Sequence, residues 1–194
     1  GIGSFFSHLA PSSDAAEEEE TVSGSVPTRA FGNTGVEVPI LSLGGMFDTP
    51  NNQLLLKQAI RWGVTYWDTA ASYGGGRSEE GIGKYFSRFP EDRTKVFLVT
   101  KSGAWTNRGR TRDLERSLER MQTDYVDLFL IHSVGGIGEM DDDVKAWGEK
   151  AKASGRIRRF GFSTHSNMEE CLRDAAELGW IDGIMTTYNY RLMH

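Results

Sequence analysis

The chain has 194 residues, 38% hydrophobic and 25% charged, an ordinary composition for a globular protein and enough for one domain with its own core. The formal net charge of −5 is carried by residues 1–27, which hold five acidic residues and no Lys or Arg; the remainder is neutral, without the basic field that attracts nucleic acid. Because Cys171 is the single cysteine, the chain has no intrachain disulfide. No Cys/His cluster has zinc spacing, so no metal site is expected. No apolar run reaches the roughly 20 residues that are needed to span a bilayer.

Residues 1–27 are predicted to form a disordered acidic leader. The stretch PSSDAAEEEETVSGS is small, polar and acidic, and it cannot bury enough apolar surface to order itself. The preceding GIGSFFSHLA is apolar and could be the remnant of an export signal that lacks its charged start, or simply a disordered or cloning-derived leader. We expect a cytoplasmic protein, with export as the alternative, and one folded domain over residues 28–194.

The folded part is predicted to begin with a hairpin and to continue as alternating strands and helices. The hairpin is TRAFGNTGVEVPI, which turns around Gly32–Gly35, where Asn33 is able to adopt a positive φ. Six strands are predicted at 40–45, 64–69, 95–103, 125–133, 158–165 and 181–189, and five helices at 51–63, 78–89, 111–122, 141–155 and 167–179. Capping chemistry marks the helix ends: Asn51 or Asn52, Ser78 and an Asn167–Glu170 capping box at N-termini, and Gly63, Gly155 and Gly179 at C-termini.

Strict alternation of this kind indicates an α/β protein with a parallel sheet, either open or closed into a barrel. An open Rossmann sheet should carry G-x-G-x-x-G after its first strand, but that strand ends in LGGMFDTP, and the glycines of EEGIGKYF lie inside a helix pattern. Polar residues at the carboxyl ends of several strands favour a TIM-type (β/α)8 barrel, which builds its active site there. With six of eight strands, the expectation is a barrel truncated after the sixth strand, preceded by the β-hairpin.

Polar side chains end four successive strands. Asp68 ends the second, with Tyr73 in the loop beyond it; Lys101 ends the third, His132 the fourth, and Ser163 lies near the end of the fifth. Singly, each has a structural explanation: a turn cap for the aspartate, a loop aromatic for the tyrosine, a solvent-reaching lysine and a core histidine. Because the ends of parallel barrel strands share one rim, we expect them to converge on one pocket.

The chemistry of these side chains suits protonation of a carbonyl oxygen. The pKa of a tyrosine hydroxyl in model peptides is about 10. Tyrosine is therefore a poor acid at neutral pH unless a nearby cation stabilises its anion. A lysine supplies that cation, an aspartate keeps the lysine charged, and a histidine can hydrogen-bond the carbonyl oxygen. The set has no serine or cysteine nucleophile and needs no metal, so a hydride from a cofactor is the natural nucleophile.

These residues, together with the motifs SYGGGRSEEGIGKYF and LERSLERMQTDYVDLFLIHS, resemble the aldo-keto reductases, and the resemblance covers about residues 28–194. It implies an oxidoreductase that reduces the aldehyde or ketone group of a small-molecule substrate with NADPH, or with NADH. By the same resemblance Tyr73 is the general acid, Lys101 tunes it, Asp68 pairs with Lys101, and His132 orients the carbonyl. The hairpin resembles the family's lid over the barrel floor.

The resemblance also implies contacts to the nicotinamide cofactor, from Gly45, Met46, Asp68 and Ser163, with Thr164 as a further candidate. Thr164 stands where the family commonly has Asn, and Met185 where it often has Gln, so these contacts depart from the family pattern. The family's seventh and eighth strands hold most of the cofactor's phosphate contacts, so a chain truncated after the sixth is expected to be inactive alone. A partner or a swapped copy that completes the barrel is the other interpretation.

Two questions stay open at the level of sequence. The first is whether the fold serves as an enzyme or as a non-catalytic, nucleotide-binding regulatory subunit, because some family members resemble channel-associated sensors. The second is the role of Trp105, in the loop after the third strand, which is either an aromatic wall of the substrate site or a loop anchor. The substrate and the oligomeric state are not encoded in any motif.

Overall fold

The computed structural model describes residues 25–189. The predicted leader up to residue 24, and residues 190–194, lie outside the described residues, so disorder of the leader stays a prediction. Val26 and Pro27, which the prediction placed in the leader, are held by backbone hydrogen bonds. Val26 N donates to Trp62 O over 3.0 Å, and Pro27 O accepts from Ile40 N over 2.9 Å. The folded domain therefore extends at least to these residues.

The order of elements follows the predicted alternation. An antiparallel hairpin comes first, formed by β1 (Thr28–Ala30) and β2 (Glu37–Pro39). Within residues 25–189 it is followed by six parallel strands, β3 (Ser42–Gly44), β4 (Tyr66–Asp68), β5 (Phe97–Ser102), β6 (Leu128–Ile131), β7 (Phe160–Thr164) and β8 (Gly183–Thr186). The intervening helices are α1 (Gln53–Arg61), α2 (Arg77–Arg88), α3 (Asn107–Met121), α4 (Asp142–Ala153) and α5 (Met168–Leu178). Each strand pairs with the next in chain order, and the sheet curls into a half-barrel with the helices outside it.

Side chains along each strand alternate between two packed layers, as the two-residue period of a strand requires. The outer layer packs against the helices and includes Trp67, Leu98, Phe129, Phe160 and Phe162. The inner layer lies inside the curl of the sheet and includes Tyr66, Phe97, Val99, Leu128, Leu130 and Met185. Burial of both faces accounts for the nearly continuous apolar runs of these strands, which are typical of parallel sheets.

The hairpin covers the end of the half-barrel at which the strands begin. The ring of Phe31, in its turn, packs on Phe97, the first residue of β5, with centroids 5.4 Å apart. The predicted turn is confirmed, but the positive φ values belong to Gly32 (54°) and Gly35 (73°) and not to Asn33. Glycine adopts this conformation without the steric penalty of a Cβ atom. The hairpin thus leaves the carboxyl ends of the strands open.

Of the predicted helix caps, Ser78 is wrong, and Asn52 and Asn167 occupy the N-cap positions without making a side-chain capping hydrogen bond. Asn52 precedes α1 but makes no capping hydrogen bond. Ser78 lies inside α2, and its hydroxyl donates to Gly45 O over 2.7 Å instead of capping the helix. Asn167 precedes α5 with a left-handed backbone (φ 48°), and its amide donates to Gly135 O over 3.0 Å. Helix α3 begins at residue 107, four residues before the predicted start.

Two smaller expectations are settled within the described range. The single cysteine, Cys171, is buried in the middle of α5. The predicted glycine stops at Gly63, Gly155 and Gly179 all have positive φ, between 67° and 75°. No helix among residues 25–189 combines the length and the apolar character that crossing a bilayer requires.

Candidate active site

Strand alternation and parallel register bring the predicted polar residues to one rim. Asp68 ends β4, Lys101 is next to last in β5, His132 directly follows β6, and Ser163 is next to last in β7. The first three each lie two residues beyond an inward-facing side chain, namely Tyr66, Val99 and Leu130. They therefore point into the curl of the sheet, at the carboxyl ends of the strands.

Lys101 is the centre of the group. Its side chain is 1% exposed, and its ammonium nitrogen Nζ donates to Asp68 Oδ1 over 2.6 Å and to the carbonyl of Thr69 over 2.8 Å. The same nitrogen lies 3.3 Å from the hydroxyl of Tyr73. A buried ammonium needs such partners, because leaving water without them would favour its neutral form. Lys101 thus joins the carboxylate and the phenol that the sequence placed on separate elements.

Tyr73 and His132 meet at the mouth of this group. Their rings are in edge-to-face contact, with centroids 5.9 Å apart. Tyr73 begins the one-turn segment Tyr73–Gly76 after β4, and the backbone just before it is tied to β5, since Ala71 N donates to Lys101 O over 3.0 Å. The four predicted catalytic side chains are therefore contiguous in the folded chain.

Burial shifts the ionisation of two members of the group. Burial raises the pKa of the Asp68 carboxyl, and the charge and hydrogen bond of Lys101 oppose that shift. Burial lowers the pKa of His132 below its usual 6.5, and the charges of Lys101 and His165 act in the same direction. His132 is therefore a neutral imidazole at neutral pH, and one of its ring nitrogens can donate a hydrogen bond.

A cavity of about 410 Å³ opens on one side of Tyr73, lined partly by the loop after β3. Its wall includes Gly45 and Met46, and the Met46 side chain is 78% exposed. Gly45 N donates to Asp68 O over 2.6 Å, and an added Cβ atom would lie 2.7 Å from Ser78 Oγ, so only glycine fits there. The two predicted cofactor contacts on this loop thus line the same cavity as Tyr73.

A second cavity of about 420 Å³ opens beside His132. The Trp105 side chain lines it and is 82% exposed, so it does not anchor its loop by packing. This placement favours the interpretation of Trp105 as an aromatic wall. Arg110 of α3 holds the backbone of this loop by donating to Trp105 O over 3.2 Å, and it also donates to the Asn107 side chain over 2.6 Å.

The structure brings Ser163 near the group and directs Thr164 away from it. The Ser163 hydroxyl accepts a hydrogen bond from Ser133 N over 3.0 Å, in the turn next to His132. Thr164 has the strand parity of the outer layer, and its hydroxyl donates to Ser166 O over 2.7 Å. Met185 pairs with Ser163 in the β7–β8 register and lies on the inner face. Of the two residues that depart from the family pattern, only Met185 faces the interior.

A buried polar network behind the Tyr73 loop was not predicted from the sequence. Arg120 of α3 donates to Glu79 of α2 and to two backbone carbonyls of the loop, and Glu79 accepts from Thr100 of β5. The only available signals were a glutamate after Ser78 and an arginine in an amphipathic helix, and neither indicates its partner. Within residues 25–189, no three or more His, Cys, Asp or Glu side chains are grouped to hold a metal ion.

Comparison with known proteins agrees with this geometry. A family model described as the aldo/keto reductase family matches residues 41–194. Glyoxal reductase of Bacillus subtilis (strain 168) is 36% identical over 151 residues, 74% of this chain and 52% of that protein. A putative voltage-gated potassium channel subunit beta of Schizosaccharomyces pombe is 32% identical over 141 residues, 63% of this chain and 41% of that protein. Among solved structures, the aldo-keto reductase AKR11C1 from Bacillus halodurans (holo form) is similar with a TM-score of 0.74 and 26% identity, covering 84% of this chain and 58% of that one.

The family match begins one residue before β3 and takes in all the parallel strands and helices described above. The chain spans about half the length of the curated relatives that it matches. The predicted resemblance and the predicted fold class are both confirmed. The chain belongs to the aldo/keto reductase family.

Proposed function

We propose that the native protein reduces an aldehyde or ketone group of a small molecule to an alcohol with a nicotinamide cofactor, NADPH in the first place and NADH as the alternative. The observation that carries this proposal is the position of the Lys101 ammonium, 2.6 Å from Asp68 Oδ1 and 3.3 Å from the Tyr73 hydroxyl. This arrangement suits a phenol that gives up its proton during a reaction, because the adjacent cation stabilises the anion that remains.

Each member of the group has a separate task in this proposal. Tyr73 donates its hydroxyl proton to the carbonyl oxygen of the substrate. Lys101 stabilises the resulting phenolate, and Asp68 keeps the buried ammonium charged and in place. His132, as a neutral imidazole, donates a hydrogen bond to the same oxygen and orients the carbonyl. No residue of the group attacks the substrate covalently.

The loop after β3 fits a flat aromatic ring such as nicotinamide. Both residues of this loop line the cavity that also borders Tyr73. Gly45 has no side chain, so a ring can approach its backbone closely, and Met46 exposes an apolar side chain. Ser163 and Asp68 are the polar groups of this rim that would help to hold the ring. When bound, the cofactor supplies the hydride that the carbonyl carbon accepts. Thr164 is bonded within its own loop, and we assign it no contact.

A regulatory role is the second candidate, and a specific similarity favours it. One relative is named as a potassium channel subunit beta, at 32% identity over 141 residues. A regulatory subunit on this fold would bind the nucleotide and alter the behaviour of a partner. It could keep all four side chains, so their geometry does not separate the two roles. Multiple turnover does separate them.

The test is a steady-state kinetic assay of the protein purified from its native source. Loss of NADPH absorbance is followed with glyoxal, the substrate in the name of one relative, and with an aromatic aldehyde that contains a single carbonyl group. We expect catalytic turnover with at least one of them, and the same assay with NADH measures cofactor preference. Binding of NADPH without turnover on any carbonyl compound would favour the regulatory role.

A further inference from the structure

We propose that Arg120 is a positioning residue for Tyr73: it clamps the loop that presents the tyrosine hydroxyl to Lys101. This inference rests on the proposed function, since it concerns the placement of the proposed acid. Arg120 lies on α3, on the outer side of the sheet, and it lines neither of the two cavities described above. Its effect on the site is therefore indirect, through the backbone that carries Tyr73.

The guanidinium of Arg120 makes one contact on each side of Tyr73. Nη1 donates to Ala71 O, two residues before the tyrosine, over 3.3 Å. Nη2 donates to Gly75 O, two residues after it, over 3.3 Å. The planar fork of an arginine presents a separate nitrogen to each of the two carbonyl groups in a fixed geometry, whereas a lysine would have to reach both from one flexible ammonium. The two contacts fix both ends of the short segment whose centre is Tyr73.

A buried carboxylate holds the arginine itself in place. Glu79 is 0% exposed, and its Oε2 accepts from Arg120 Nη1 over 3.1 Å. Its other oxygen, Oε1, accepts from the hydroxyl of Thr100 over 2.7 Å, and Thr100 is the residue before Lys101 on β5. The loop of Tyr73 is thus tied by side chains to the strand that carries its ammonium partner. The network positions both groups that define the 3.3 Å distance from Lys101 Nζ to the Tyr73 hydroxyl, because it contacts the loop of Tyr73 and the strand of Lys101.

The glycines of this loop add no side-chain contacts to the few backbone hydrogen bonds that it makes, such as Gly75 N to Ser72 O over 3.0 Å. Tyr73 is followed by Gly74, Gly75 and Gly76, all with positive φ, at 58°, 68° and 105°. Three glycines in succession have no side chains to pack, and their backbones are the freest in an unfolded or loosened chain. Gly76 also lies so close that an added Cβ atom would collide with the Arg120 guanidinium. The glycine segment therefore depends on Arg120 for support, and the absence of a side chain at Gly76 leaves room for the guanidinium.

The test compares Arg120→Lys with Arg116→Lys. Both arginines lie on α3, but Arg116 is exposed and makes no clamp contact. Arg120→Lys keeps the positive charge beside Glu79 and loses the fork. A small misplacement of a reacting group lowers the rate by up to about 10²-fold, so we expect kcat for aldehyde reduction to fall by at least about tenfold, with KM and the Kd of NADPH within about twofold. Arg116→Lys should leave all three unchanged.

A second readout does not depend on activity. Tyrosine is labelled with 13C at the ring carbon that bears the hydroxyl, and the Tyr73 signal is identified by its loss in Tyr73→Phe. We expect this signal to shift or broaden in Arg120→Lys and to stay in place in Arg116→Lys. Should Arg120→Lys fail to fold, Glu79→Gln replaces it, because it weakens the hold on Arg120 without removing a side chain.

The two readouts keep this inference apart from the proposed function. If the parent protein reduces no carbonyl compound, the proposed function fails, and the Tyr73 signal alone decides the role of Arg120. An unchanged Tyr73 signal in a folded Arg120→Lys or Glu79→Gln protein overturns the clamp, whatever the activity. An equal loss of kcat in Arg116→Lys also overturns it, because that loss would not come from the loop contacts.

Discussion

At the scale of single residues, the site depends on one buried ammonium with two different partners. Lys101 is almost completely buried and binds a carboxylate, a carbonyl and a phenol. The Lys101 side chain contributes both to the stability of the fold and to the proposed chemistry. A pair of variants can separate these two contributions.

The first prediction uses Lys101→Met and the double variant Lys101→Met/Asp68→Asn. The single variant leaves the Asp68 carboxylate buried without a counter-charge, which costs about 3–5 kcal/mol of unfolding free energy. The double variant removes that charge, so most of the lost stability should return. Carbonyl reduction should fall by about 10²–10⁴-fold in both, because the proton donor has lost its cation in both. Urea unfolding and kcat measure the two effects, and recovery of activity in the double variant would contradict the role of Lys101.

The second prediction concerns pH. His132 has a pKa below 6.5 in the folded protein, owing first to burial. As pH falls below about 6.5 the unfolded chain takes up a proton that the folded chain does not, so stability falls until the folded-state pKa is passed. The imidazole signals of His132 should titrate below pH 6.5 by NMR, and His132→Gln should flatten the decline of stability in that window. Titration at or above 6.5 would show that the site does not disfavour the charged imidazole.

Asp68, Lys101 and His132 were identifiable from sequence because each ends an apolar run, and parallel strand ends share one rim. Tyr73 was identifiable by its place in the loop that follows Asp68. Ser78 was misassigned as a cap, and Asn167 stands at the N-cap without the expected hydrogen bond, because their side chains bond to groups distant in sequence, Gly45 O and Gly135 O. Local capping rules describe only nearby partners. The Glu79–Arg120 pair was missed for the same reason, since 41 positions separate them.

At the scale of elements, the loop between β4 and α2 is where conformation and proposed function meet. Tyr73 lies in the middle of this loop, the glycines follow it, and α2 begins at Arg77. Helix α3 supplies the arginine that holds this loop from outside. The start of α3 was predicted at residue 111, four residues after its actual start, because a glycine such as Gly109 is typical of a loop. In the structure Gly109 N donates to the Thr106 hydroxyl over 3.1 Å, which caps the helix.

The third prediction compares Gly76→Ala with Gly75→Ala. Both glycines have positive φ, so both substitutions strain the backbone, by about 1–2 kcal/mol. Only at Gly76 would the new Cβ atom also collide with Arg120; a Cβ atom added at Gly75 would have nothing within 4 Å of it. We expect Gly76→Ala to destabilise the protein more, and to lower kcat for carbonyl reduction, as measured by thermal unfolding and steady-state kinetics. Equal effects of the two substitutions would show that the close approach to Arg120 has no consequence.

At the scale of the whole molecule, the described sheet has two outer strands. Within residues 25–189, β3 and β8 each pair with one other strand, and apolar side chains near β3, such as Ile40 and Leu41, are more than half exposed. The sequence predicted the order and direction of these strands correctly, since alternation and handed crossovers leave few choices. It could not predict how far the sheet curls, which depends on packing across its interior.

The fourth prediction concerns a polypeptide of residues 1–194 made alone. Unpaired, apolar strand edges recruit other strands, so we expect oligomers or low solubility in size-exclusion chromatography. We also expect weak or undetectable NADPH binding by fluorescence titration, because its relatives are about twice as long and most of the binding energy for a dinucleotide comes from its phosphates. A monodisperse monomer with micromolar affinity would place the phosphate site within these residues.

The central claim is that Tyr73 delivers the proton in carbonyl reduction, and Tyr73→Phe tests it most directly. The native protein, Tyr73→Phe and the control Tyr66→Phe, which alters a stacked inner-layer tyrosine on β4, are compared for kcat with NADPH and an aldehyde and for NADPH affinity. Our account predicts a loss of about 10²–10⁴-fold in kcat for Tyr73→Phe alone, with NADPH affinity unchanged. A Tyr73→Phe protein with a kcat close to that of the native protein would contradict it.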